Sequence, residues 1–252
     1  DISYETYLIK KYDVENAIFN FLRFHDDKTI IIFCSTRSSV THISSRILNR
    51  GFSVVSLSGA LNQSERFKAL QSIKNGRCKI CVATDVAARG IDLVNLDIVI
   101  HAELPQNSEI LIHRSGRTGR AGNKGRSIIF CSPGERRRYE RLVHSAKVTP
   151  VISKFLSQEE IEHRDNEKII NFLSKSQKKS PSELKFANAL LTQFSSEDIA
   201  VALIENFKGK LPPIEEVETF SQKKDLMKSD RKKKKRGEKR NRGSFSKKKQ
   251  RS

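Results

Sequence analysis

Between residues 29 and 144 the sequence alternates short β-branched apolar runs with helical stretches, and few folds accept that order. The run Thr29-Ile30-Ile31-Ile32-Phe33-Cys34 is apolar at almost every position, as in a strand covered on both faces. In residues 38–50, Val40, Ile43, Ile47 and Leu48 fall on one stripe and Gly51 stands just past the end, which predicts a helix with a C-terminal stop. Strands over 53–57, 79–83, 97–101 and 127–131 and helices over 62–74 and 133–144 continue the series. Parallel neighbours need a crossover between them, so the pattern predicts an α/β fold, a parallel sheet with helices on both faces.

Ligands of such sheets collect at the loops leaving the C-terminal ends of the strands. Here those loops read Ser35-Thr36-Arg37, then Ser58-Gly59 through Arg66, then Thr84-Asp85-Val86-Ala87-Ala88-Arg89-Gly90-Ile91-Asp92, and finally His113 to Gly122. Hydroxyls, glycines and arginines bind phosphate: Gly lets a backbone N–H approach, Ser and Thr donate, and Arg forks onto paired oxygens. Arg114, Arg117 and Arg120 recur every third residue and share a face in a helical turn. Gly116 and Gly119 weaken that helix by about 1 kcal/mol each. A polyphosphate ligand explains a stack of like charges beside glycines better than the alternative, a solvated basic helix with loose glycines.

Charge supports an acidic partner. The 252 residues carry a formal charge of +19. Residues 1–150 hold 23 basic and 14 acidic groups, residues 151–222 hold 9 and 12, and residues 223–252 hold 16 and 3. The last stretch has too few apolar side chains to offset the entropy of ordering, and is expected to be a disordered tail that grips phosphates without regard to base sequence, with a merely solvated tail, a nuclear address or an anionic-membrane contact as the other readings. The sequence holds no uncharged apolar stretch of the roughly 18 residues that a membrane helix needs, and it opens without Met or a leader, so it reads as a piece of a longer protein. Cys34, Cys78, Cys81 and Cys131 are too scattered for a disulfide scaffold, and Cys78 and Cys81 are expected on opposite sides of a strand rather than as a metal or redox pair. His101 and His144 are expected to be packing or surface residues.

In order and spacing, Ile31 to Arg37, Gln63 and Arg66 after Ser58-Gly59, Thr84 to Asp92, and His113 to Gly122 resemble motifs IV, IVa, V and VI of the DEAD-box RNA helicases. The resemblance covers roughly residues 2–147 and implies the second of that family's two RecA-like domains. It implies that Arg117 and Arg120 are arginine fingers on the γ-phosphate of ATP, that Asp92 accepts from the ribose hydroxyls, and that the Gly90 backbone lies against the nucleotide. It further implies that Thr36, Arg37, Gln63, Arg66, Thr84, Arg89 and Arg114 serve the RNA backbone and that His113 faces the partner domain. Each also has a plainer reading, such as Thr84 and Asp85 capping a short turn. Ser58 and Ser115 depart from the family's usual His and apolar residue.

No G-x-x-x-x-G-K-[ST] phosphate loop and no Asp-Glu-Ala-Asp occurs. The chain is therefore expected to act only with an N-terminal RecA-like domain, which would supply most of the ATP contacts and the Mg²⁺ ligands. Residues 1–150 are expected to form the helicase domain and 151–222 a helical extension, with helices over 157–175, 181–191 and 195–207. That extension resembles those of bacterial cold-shock-type members, some of which dimerise; a homodimer contact and a helix pair packed on the core both stay open. The bacterial resemblance implies a cytoplasmic protein, or a nucleolar one if the source is eukaryotic. A DNA-directed superfamily 2 helicase half and a non-enzymatic basic RNA-binding protein stand as alternatives.

Overall fold

A computed structural model describes residues 1–59, 61–89, 96–120, 122–175 and 180–220. The expected basic tail and the Gly90 and Asp92 positions lie outside them. Seven parallel strands form one sheet in the order β3-β4-β2-β5-β6-β1-β7: β1 (Ile2–Leu8), β2 (Ile30–Cys34), β3 (Val54–Leu57), β4 (Ile80–Thr84), β5 (Ile98–His101), β6 (Gly125–Cys131) and β7 (Val151–Ser153). β2 is buried at every position. Ile30, Ile32 and Cys34 belong to one core and Ile31 and Phe33 to the other, as strand alternation requires.

Helices α1 (Val14–Phe24) and α2 (Arg37–Asn49) cover one face through Ile18, Phe21, Val40, Ile43 and Ile47. The other face is covered by α3 (Gln63–Lys74), α4 (Asp85–Ala88), α5 (Ser108–Ser115) and α6 (Arg136–Ala146), which supply Ile73, Ala87, Leu111, Tyr139 and Leu142. The expected strands and helices are present with small shifts. The helix expected from residue 133 starts at Arg136, because Pro133–Glu135 first forms a 3₁₀ turn. β1 and α1 were not foreseen: polar Ser3, Glu5 and Thr6 interrupt the apolar pattern of β1, although Thr6 is buried and meets the Tyr139 hydroxyl at 2.8 Å.

The chain after residue 150 continues the same body. β7 adds to the sheet beside β1, and Phe155 enters the core against Tyr7 and Phe130. α7 (Gln158–Lys175) lies on α1, where Arg23 makes two hydrogen bonds, 2.7 and 3.0 Å, to Asp165. α8 (Pro181–Gln193) and α9 (Ser196–Lys208) open with capping boxes, Ser180 with Glu183 and Ser195 with Asp198. Neither has a buried residue. Beyond α9 an extended strap returns across α1: the Asn20 side chain bonds both the N–H and the C=O of Glu215 at 2.8 Å, and Arg50 pairs with the Glu215 carboxylate at 2.5 Å. The strap ends in a bridge between Thr219 and Ile9. Among the described residues no helix is long and apolar enough to cross a membrane.

Candidate functional site

All seven strands run the same way, so every strand-to-helix loop leaves from one edge of the sheet. β3, β4 and β2 are neighbours, which gathers the loops at Ser35–Arg37, Ser58–Gly59 and Thr84–Arg89. The helices that follow β2, β3, β4 and β5 are each capped by a side chain. The Thr36 hydroxyl accepts from Ser39 N, Asn62 exchanges bonds with Glu65, Thr84 accepts from Ala87 N, and Asn107 accepts from Ile110 N. The positive ends of α2, α3 and α5 therefore point toward this edge.

The arginines divide into two kinds. Arg114 is buried, and its guanidinium grips Asp85 with two bonds, Nε to Oδ1 at 2.6 Å and Nη2 to Oδ2 at 2.8 Å, above the Phe33 ring. An RNA contact was expected of Arg114; here its donors face inward and brace α5 against α4. Thr84 is likewise buried, its hydroxyl committed to the cap of α4. Arg66 donates from Nη2 to Ala87 O at 2.8 Å and to Arg89 O at 3.2 Å, fixing the end of α4. Arg37 is exposed and its guanidinium lies over Gly59, where an added Cβ would sit 2.8 Å from Nη2 and push this flexible side chain aside. Gln63, Arg89 and His113 are exposed.

Arg117 is half-buried and Arg120 exposed at the turn after α5, where Arg120 Nε donates to Gly116 O at 2.9 Å. Partial burial, and then the charge of Arg120, lowers the proton affinity of the Arg117 guanidinium below its ordinary value. The two cations feel one another. Their turn is fastened from below: the buried Thr118 hydroxyl bonds Leu96 O at 2.5 Å and Asp97 O at 2.9 Å. Gly119 adopts φ +69°, and a Cβ there would meet Ile2 at 2.8 Å. Gly125 is tighter still, since a Cβ would lie 2.4 Å from Gly119 N. Two glycines thus let β1 and β6 touch the arginine turn.

The sequence reading passed over Asp85 and Thr118 as anchors, though both stand inside the quoted motifs. It also missed a buried relay: Ser115 and Ser127 hydroxyls lie 2.9 Å apart, His101 Nε2 is 3.0 Å from Ser127, and Ser115 donates to Leu111 O at 2.8 Å. Since Ser115 spends its proton on Leu111, Ser127 donates to Ser115 and accepts from His101, which fixes the proton of His101 on Nε2. Burial, and then the charge of Arg114, lowers the His101 pKa to about 3. All four cysteines are buried: Cys78 donates to Ser53 O at 3.2 Å, whereas Cys81 packs in the core.

Residues 13–122 match the family model described as the helicase conserved C-terminal domain. The chain is 32% identical over 200 residues to the ATP-dependent RNA helicase DeaD of Buchnera aphidicola, covering 79% of this chain and 30% of that protein. It carries the C-terminal RecA-like domain of a DEAD-box helicase. Among solved structures, the DEAD-box protein SrmB of Escherichia coli, bound to a regulator of ribonuclease activity, aligns with a TM-score of 0.57 at 27% identity over 63% of this chain and 93% of that one. A DEAD-box protein of Methanococcus jannaschii aligns with a TM-score of 0.54 at 31% identity over 62% and 42%. This DEAD-box chain therefore spans less than a third of the length of the curated relative it matches.

Proposed function

We propose that the chain is the C-terminal half of an ATP-dependent RNA helicase, in which Arg117 and Arg120 meet the γ-phosphate of an ATP held mainly by an N-terminal RecA-like domain. The observation that carries this reading is the pair of neighbouring guanidinium groups on a braced turn, whose helix α5 is tied to the phosphate-type loop after β4 through Arg114 and Asp85. Arg120 lowers the proton affinity of Arg117, and two neighbouring cations gain from a shared polyanion, so a polyphosphate suits this turn. In phosphoryl transfer such fingers stabilise charge on the transferred group, and elsewhere they supply about 10³–10⁵ in rate.

Thr36, Arg37, Gln63, Arg66 and Arg89 serve the RNA sugar-phosphate backbone, with Thr84 and Arg114 supporting them from behind. Contacts of this kind carry little base preference. His113 faces the N-terminal domain. Gly90 and Asp92 lie outside the described residues, and their nucleotide roles rest on the family resemblance, as does the placing of Mg²⁺ ligands in the other domain. ATP and RNA bind both halves when the cleft closes, and loss of the shared ligand reopens it, a switch driven by differential contacts in two states. The name of the Buchnera relative favours RNA over DNA, and its bacterial source favours a cytoplasmic setting. A homodimer through α8 and α9 accounts for their exposed Phe186, Leu191 and Phe194.

The test uses the protein with both domains. Arg120→Ala is expected to lower RNA-stimulated ATP hydrolysis by about 10³ or more while nucleotide affinity stays near wild type. Undiminished hydrolysis overturns the finger role.

A further inference from the structure

We infer that the outer face of α6 is a second phosphate track, which holds an RNA strand as it runs off the sheet edge. Arg136–Ala146 carries four arginines and a histidine against Glu140 alone. Glu140 is taken by Arg136 at 2.8 Å, and Arg138, though exposed, spends Nη2 on Leu104 O and Pro105 O at 2.9 and 3.0 Å. Arg137, Arg141 and His144 remain exposed at helical spacing, with Lys147 just beyond. Among the described residues none of these four has a carboxylate within ion-pair distance; Arg141 Nε reaches only Arg137 O, at 3.4 Å. Arg137, Glu140, Arg141 and His144 line an open concavity of about 700 Å³.

Like charges four residues apart weaken a helix unless something outside neutralises them. The chemistry of the face says what that is. Its aromatic residue, Tyr139, is buried, and no large apolar side chain of α6 is exposed. A protein interface of ordinary kind is anchored by aromatic or aliphatic groups, whereas a phosphodiester strand asks only for cations at regular intervals, here about 6 Å of helix rise apart. Position agrees. Arg138 holds the first turn of α6 to the loop after β5, at the edge from which the ligand loops leave, and the Ser145 hydroxyl bonds Ser108 of α5 at 3.1 Å. The strap brings Phe220 to Leu8 O on the same edge, and the Lys- and Arg-rich residues follow it in sequence.

This rests on the RNA reading above, and the test separates the two. The 252-residue chain is titrated against a fluorescent single-stranded oligouridylate over a range of salt. Arg137→Gln with Arg141→Gln is expected to weaken binding about tenfold at low salt and to flatten the log–log salt slope by about 1.4, two phosphates' worth of released counterions. Arg137→Lys with Arg141→Lys keeps both values, and Lys74→Gln with Arg77→Gln, at the opposite edge of the sheet, leaves the slope unchanged. Wild-type affinity and slope in the double Gln variant overturn the track and leave the face to a protein partner. An equal loss in the Lys74 and Arg77 variant also overturns it, by showing a general field effect. If the wild-type chain binds no RNA, the RNA reading itself falls.

Discussion

Arg114 and Asp85 are locked by two hydrogen bonds, 2.6 and 2.8 Å, between α5 and α4, with the arginine side chain 2% exposed and the aspartate 31%. The loop after β4 and the helix leading to Arg117 therefore move together. The two ends of the pair are unequal. Removing the acid strands a buried cation, whereas removing the base leaves an acid that water can reach.

Asp85→Ala is accordingly expected to cost about 3 kcal/mol, and Arg114→Met distinctly less. Urea unfolding of both variants checks the order; equal midpoints would show that the arginine is solvated after all.

The Asn20 side chain matches both backbone groups of Glu215, so it acts as one rung of a ladder holding the strap. Asn20→Ala leaves those groups to be hydrated and is expected to cost about 1–2 kcal/mol. Hydrogen exchange should speed up over residues 211–220 first, ahead of β2 and β5. Unchanged exchange there would mean that the Arg50 and Asp13 contacts suffice.

Acid should destabilise the fold well above the carboxylate range. Burial holds the His25 pKa at about 4 and that of His101 at about 3, each below the ordinary histidine value. Between those values and about pH 6.5 the unfolded chain binds protons that the native chain refuses. Stability then falls as pH falls, by at most about 1.4 kcal/mol per pH unit for each histidine. At lower pH, Glu5, whose pKa the Arg126 hydrogen bonds lower, adds a loss of the same sign. Urea midpoints from pH 7 to pH 4 measure the slope, and His101→Asn should flatten it.

Gly125→Ala would force a methyl to 2.4 Å from Gly119 N and 2.5 Å from the Thr118 hydroxyl, so the arginine turn must shift. Overpacking of this kind costs about 1–3 kcal/mol. In the two-domain protein, RNA-stimulated hydrolysis is expected to fall more than stability does. Gly134→Ala, with nothing within 4 Å of the added carbon, serves as the neutral control.

The exposed apolar side chains of α8 and α9 include Phe186 at 65% and Leu191 at 55%. In the dimer reading, sedimentation shows mass rising with concentration, and Phe186→Ser with Leu191→Ser abolishes the rise. A monomer at every concentration would end that reading.

The alternation from residue 29 to 144 determined the parallel sheet, because a strand apolar at every position must be covered twice and parallel neighbours need a crossover. Caps at Thr36, Asn62, Ser180 and Ser195 set the helix starts through bonds spanning only three residues, and such local chemistry is legible in a string. The loops that carry the arginines were legible for the same reason. Which arginine is buried was not: Arg114 and Arg117 stand three apart on one turn, and it is Asp85, 29 residues away in sequence, that makes Arg114 a strut. The strap was equally hidden, since Asn20 and Glu215 are 195 residues apart and neither carries a periodic signal. Periodicity records which side of an element is buried; the tertiary structure alone decided which neighbour does the burying, and so which charges stay available to a ligand.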